Sequence, residues 1–230
     1  MFLPFDVALK TDTASRGPAS IEVFAMATIT AAGSDSRECD WLTPAEADRA
    51  AAIARPERRA QFVTGRWLLR YAAARVFGED GYRLDCIEGR PVIMAAEPGP
   101  ASLSLSHSGG LVVCAAGRVQ ALGVDVEQIR PRGEWGALSA WTLHPRERAR
   151  LEGIGEAQRW GAFYQAWTFK EALAKALGVG VFGLAFDRIE VSEDGLLEQT
   201  PHDERLRGGD WRLCPLRVGE GFAAAVAWRA

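Results

Sequence analysis

Apolar residues recur at helical spacing in two long stretches of this chain and alternate with polar ones in several short stretches. In PERRAQFVTGRWLLRYAAARVFG (56–78), Phe62, Leu68, Leu69, Ala72 and Val76 form one stripe, which predicts a helix that Gly78 can close. EAQRWGAFYQAWTFKEALAKALG (156–178) predicts a second long helix, closed by Gly178. LTPAEADRAAAIA (42–54) opens with Thr43, Pro44 and Glu46, a capping box with proline at the first helical position. HPRERARLEGI predicts a short helix. Strands are predicted for IEVFAMATI (21–29), SLSLS (102–106), LVVCAAG (111–117), QALGVDVE (120–127), FDRIEVSED, DWRLCPLRV and GFAAAVAWRA. EGRPVIM leads into a loop, and PRGEWG (131–136) reads as another.

Helices followed by strands thus occur twice, with a boundary near 118–130. The expectation is an α+β fold of two similar halves: an N-terminal extension over 1–20, a first half over 21–118 and a second over 119–230.

ALGVDVEQ (121–128) strains the simple pattern. In a strand, Asp125 and Glu127 share a face with Cα atoms about 6.5–7 Å apart, while Val124 and Val126 point the opposite way into a core. Two carboxylates so placed suit a hard cation with oxygen ligands, such as Mg2+. Without one, each raises the pKa of the other. The ordinary alternative is an antiparallel strand with one wet face.

Composition narrows the field. The chain has 230 residues, 48% of them hydrophobic and 25% charged, as in a globular protein. The net charge of -3 gives no global basic field for nucleic acid. Cysteines at 39, 86, 114 and 214 are too scattered for a CxxC metal site, so they read as reduced thiols. No basic start followed by an apolar core opens the sequence, and no apolar run reaches the ~20 residues of a membrane helix. A cytoplasmic protein is expected.

Of 27 basic residues, only those at 10, 170 and 175 are lysine. WTFKEALAKALG (167–178) therefore keeps two lysines in a chain that otherwise writes arginine. Glu171 and Lys175 are i,i+4 neighbours, which suits either a surface ion pair or a carboxylate for metal or proton beside lysines for phosphate. Trp167 reads as core. SLSHSGG (104–110) sets His107 between two serines ahead of a Gly-rich turn whose N–H groups are open to an anion. No G-x-S-x-G accompanies it, so it is no serine-hydrolase triad. Arg49, Arg55, Arg58, Arg59, Arg66 and Arg70 make part of the first half basic, and Arg90 lies in EGRPVI.

The order SHSGG, GVDVE and W-x-x-K-E-A-x-x-K-A-x-G-x-G, with EGRPVI upstream, resembles the 4′-phosphopantetheinyl transferases of the surfactin-synthetase-activating (Sfp-like) type. The resemblance covers the chain from about Ile21 to its end. It implies two α+β halves related by pseudo-twofold symmetry, with coenzyme A between them. It further implies Mg2+ on Asp125, Glu127 and Glu171. Ser106, His107, Arg90 and Arg49 would bind the nucleotide end, Lys175 the pyrophosphate, and Lys170 would assist. The implied reaction moves phosphopantetheine from coenzyme A to a serine of an acyl or peptidyl carrier protein, with Glu171, or a carboxylate acting through metal-bound water, as base, releasing adenosine 3′,5′-bisphosphate. This is the holo-[acyl-carrier-protein] synthase class, and one chain with a whole cleft implies a monomer. Where relatives commonly place lysines on the first helix, this chain has Glu46 and Arg49. Two other readings remain: a Mg2+-dependent phosphodiesterase or nuclease, and a non-catalytic coenzyme A-binding module.

Overall fold

A computed structural model describes residues 5–6, 21–28, 41–87, 90–193, 195, 197–199, 203–206 and 211–230. The fold is mixed α and β, with antiparallel sheets. Strands β1 (Phe5–Asp6), β2 (Ile21–Ala27), β5 (Ser102–Ser108) and β6 (Leu111–Gly117) form one sheet in the order β1-β2-β6-β5. Strands β7 (Ala121–Gln128), β10 (Arg212–Pro215) and β11 (Phe222–Arg229) form a second, in the order β10-β11-β7. Two hairpins stand apart: β3 (Tyr82–Ile87) with β4 (Arg90–Ala95), and β8 (Glu190–Val191) with β9 (Leu197–Gln199). Most of the expected extension lies outside the described residues. Its Phe5–Asp6 pairs with Phe24 and Ala25.

Each large sheet carries a long helix on one face. Helix α1 (Pro44–Ala52) starts at Thr43 with the expected capping box, and α2 (Pro56–Phe77) follows it. Leu68, Leu69, Ala72, Ala73 and Phe77 of α2 pack on Phe24, Met26, Val112, Cys114 and Ala116 of the first sheet. Helices α3 (Trp135–Thr142), α4 (Pro145–Glu152) and α5 (Glu156–Ala176) belong to the second part of the chain. Phe169, Ala172, Leu173 and Ala174 of α5 pack on Leu213, Ala225 and Ala227 of the second sheet. The opposite faces of both sheets meet in one core, where Val23, Ala25, Val113 and Ala115 join Val124, Val126, Val226 and Trp228. Both faces of β6 are therefore covered, which explains why its seven residues are all buried.

Three sequence expectations need correction. The loop expected over 131–136 runs into the first two residues of α3, and its Trp135 packs with the aromatic side chains of α5. The stretch before EGRPVIM is a strand, β3, which the pattern did not mark. FDRIEVSED yields only a 3-10 turn at Phe186–Arg188 and the two residues of β8. Among the described residues no helix is long and apolar enough to cross a membrane.

Candidate active site

Strand β7 alternates between two covered faces. Leu122, Val124 and Val126 enter the core between the sheets. Gly123, Asp125 and Glu127 take the other face, the one α5 covers. At Gly123 the helix backbone comes so close that a Cβ would lie 1.9 Å from the Ala172 carbonyl oxygen. Beyond that crossing, Asp125 is 4% exposed and Glu127 is half-buried. The wet-face alternative for this strand is thus excluded: the two carboxylates point toward a helix.

From α5, Glu171 and Lys175 reach the same region. Lys175 Nζ lies 2.8 Å from Asp125 Oδ1, 2.9 Å from Ser106 Oγ and 3.1 Å from the Val124 carbonyl oxygen. Ser106 Oγ also donates to Asp125 Oδ1 at 2.8 Å. Asp125 Oδ2 is buried and has no hydrogen-bond partner among the described residues. Burial and the charges of Asp125 and Glu127 push the Glu171 carboxyl up to about 7, against the pull of Lys175. Burial raises Glu127 too, with Asp125 adding to it, while the Ser108 hydroxyl, Lys175 and Arg132 oppose. Three neighbouring carboxylates thus face one ammonium. That donor set is made of hard oxygens and is short of positive charge, which fits a divalent cation such as Mg2+. Among the described residues, however, no three His, Cys, Asp or Glu side chains stand at metal-holding spacing.

Lys170 does not join this cluster. Successive helical residues diverge by about 100°, so a neighbour of Glu171 must leave its face. Lys170 is fully buried, and Nζ donates to the carbonyls of Thr142 (2.8 Å) and Phe186 (3.0 Å) and to Glu147 Oε2. All three donors of the ammonium are used. Glu147 also takes the backbone N–H groups of His144 and Val191, tying α4 and β8 to the same pair. The lysine that sequence set beside the phosphates is a strut between α5, α4 and the turn at Phe186. Trp167 packs against Trp141, Phe163 and Phe186, as a core residue should.

His107 sits on β5 with Nδ1 buried and unpartnered among the described residues. Burial, Arg58 and Lys175 hold its imidazole below the usual histidine range. Gln61 of α2 donates to the Gly109 carbonyl at 2.8 Å and accepts from Arg58 at 3.4 Å, so α2 supports the turn that follows His107. Arg49 lies over the Phe62 ring, as does Arg66, and has no ion-pair partner among the described residues. Arg66 and Arg70 are drawn instead to Glu46. Arg90 opens β4, and the position of its side chain lies outside the described residues.

Sequence reasoning missed the other serines of β5. Ser104, Ser106 and Ser108 accept the N–H groups of Val124, Val126 and Gln128, and Ser102 donates to the Val119 carbonyl. The constant offset of 20 residues means that β5 and β7 run in the same direction. β7 ends its sheet, so its outward N–H groups would otherwise lack partners. The signal was legible as serine at every second position from 102 to 108.

The mixed fold thus brings an acidic cluster, a lysine and a histidine together along one seam. Residues 121–227 match the 4′-phosphopantetheinyl transferase superfamily. The chain is 30% identical over 177 residues to the 4′-phosphopantetheinyl transferase HetI of Nostoc sp., covering 75% of this chain and 72% of that protein. It is 31% identical over 202 residues to a phosphopantetheinyl transferase of Thraustochytrium sp. (74% and 69% covered). It is 34% identical over 125 residues to AcpT of Salmonella typhimurium, also a 4′-phosphopantetheinyl transferase (53% and 60% covered). The chain belongs to the 4′-phosphopantetheinyl transferase superfamily.

Proposed function

We propose that this chain is a phosphopantetheinyl transferase of the surfactin-synthetase-activating type. It moves the 4′-phosphopantetheine group of coenzyme A to a serine of an apo acyl or peptidyl carrier protein and releases adenosine 3′,5′-bisphosphate. The two halves, 21–118 and 119–230, are proposed to be related units acting as one monomer. A sheet with one covering helix in each supports that reading.

The observation that carries the proposal is the buried Oδ2 of Asp125, unpartnered among the described residues, beside two carboxyls held above their ordinary range. Asp125, Glu127 and Glu171 are the residues that would hold Mg2+. When bound, the ion would neutralise diphosphate charge, which is most of what phosphoryl transfer asks of a protein. Lys175, part-exposed and set against Asp125, would pair with the same diphosphate. His107, Arg49 and Arg90 would hold the nucleotide end, while Ser106, whose hydroxyl proton goes to Asp125, is assigned no contact with it. Glu171 is assigned to take the serine proton. Lys170 is assigned no contact with coenzyme A, because its ammonium is fully engaged in the core.

The test is mass spectrometry of an apo-carrier protein incubated with coenzyme A, Mg2+ and this chain. A gain of about 340 Da supports transfer, that being the phosphopantetheine group. An unmodified carrier across a panel of acyl and peptidyl carriers would overturn it.

A further inference from the structure

Ser104, Ser106 and Ser108 of β5 each accept a backbone N–H of β7, and the differences lie in what β7 offers beside it. Ser106 accepts the Val126 N–H at 3.3 Å and donates to Asp125 Oδ1 at 2.8 Å. Ser108 accepts the Gln128 N–H at 3.1 Å and donates to Glu127 Oε2 at 2.7 Å. Ser104 accepts the Val124 N–H at 2.9 Å, and the β7 residue in the corresponding place is Gly123, which has no side chain to receive a proton. So each hydroxyl replaces a missing backbone acceptor, and two of the three spend their proton on a carboxylate. A hydroxyl pinned by a backbone N–H has its rotamer set. The carboxylate it donates to is then held at a fixed angle before any ligand arrives.

We propose that the β5 serine row is the positioning apparatus of the acidic cluster, and that Ser108 is the positioning residue that orients Glu127. The inference rests on the reading of Glu127 as a divalent-ion ligand. It goes beyond that reading by naming the group that holds the ligand in place. Ser106 does the same for Asp125, shared with Lys175. Ser104, which bonds no carboxylate among the described residues, serves the seam alone and is the internal control.

The experiment measures Mn2+ affinity by electron paramagnetic resonance, with coenzyme A present, alongside melting temperature. Ser108→Thr and Ser108→Val differ by one hydroxyl at nearly equal volume. Valine is expected to weaken Mn2+ binding about tenfold to a hundredfold, the usual range for removing an outer partner of a metal ligand, and threonine to restore it. Ser104→Ala is expected to lower the melting temperature and leave Mn2+ affinity unchanged. Ser108 ends its strand and is only part-buried, and Ser108→Ala supplies the same comparison should valine not fold. Equal weakening by threonine and valine, or by Ser104→Ala and Ser108→Val, would overturn the inference. So would wild-type affinity in Ser108→Val while Glu127→Gln loses the ion. Wild-type affinity in Glu127→Gln itself would instead sink the assignment of Glu127 as ligand.

Discussion

Lys175 and Asp125 stand 2.8 Å apart across the α5–β7 contact, and the pair uses only one oxygen of the carboxylate. The other oxygen is buried and unpartnered among the described residues. A buried carboxylate is stable only where its charge is answered. Here one ammonium serves Asp125 while Glu127 and Glu171 add negative charge around it.

Removing the ammonium should expose that imbalance. Lys175→Ala is expected to destabilise the metal-free protein by about 1–3 kcal/mol, below the range for a fully buried pair because Lys175 is part-exposed. Millimolar Mg2+ should then raise its melting temperature more than it raises that of the wild type. Differential scanning fluorimetry with and without Mg2+ measures both, and an equal Mg2+ shift in the two proteins would refute the charge argument.

Glu171 sets a pH dependence. Its carboxyl is raised from 4.5 to about 7 in the folded chain. Between those values the native state binds more protons than the unfolded state, so stability falls as pH rises through the window. Glu171→Gln should remove that slope and stabilise the metal-free protein at pH 8, on the order of 1 kcal/mol after allowing for the solvent that reaches the group. The same variant should lose transfer to the carrier. Denaturant melts at pH 5 and 8 with a carrier-modification assay test both halves, and wild-type turnover would remove Glu171 from the mechanism.

The buried strut predicts the opposite balance. Lys170→Met leaves Glu147 buried with its ammonium gone, which should cost about 3–5 kcal/mol. Substituting Glu147→Leu in the same chain should recover part of that loss, since a buried pair replaced by apolar groups is often tolerated. Urea melts of the two single variants and the double variant give the coupling directly. Strict additivity would contradict a Lys170–Glu147 interaction.

Two glycines on the β7–α5 axis should behave differently. A Cβ at Gly123 meets the backbone of Ala172 and Ala176, at 1.9 and 2.6 Å, so Gly123→Ala must push α5 off β7. A loss of about 1–3 kcal/mol or more is expected, with lost transfer because Glu171 and Lys175 move with the helix. Gly161, within α5, has nothing within 4 Å of its would-be Cβ. Gly161→Ala should stabilise by about 0.5–1 kcal/mol through helix propensity and leave transfer intact. Thermal melts and single-turnover assays of both variants check the contrast.

Much of this was legible beforehand, and what failed did so for local reasons. Helix α1 was readable because a capping box is a contact within four residues. Asp125 and Glu127 were readable as sharing a face because side-chain alternation is a property of any strand. Helix α3 was not readable, because Trp135 and Trp141 are held by α5 aromatics about 25 residues away, a distance no local pattern encodes. Lys170 was placed on the wrong side because adjacency in sequence was taken for adjacency in space, and a helix separates neighbours by about 100°.

Sequence by itself determined which groups the chain would bring to its chemistry: the alternating carboxylates of GVDVE, the glutamate and second lysine of FKEALAK, the histidine among serines. Tertiary structure alone decided which of them face one another. Gly123 lets α5 lie directly on β7, so Glu171 and Lys175 arrive beside Asp125, while the same helix turn sends Lys170 into the core. The reason is physical. Side-chain direction along one element follows from backbone geometry, but the angle at which two elements cross is set by packing between residues distant in the chain.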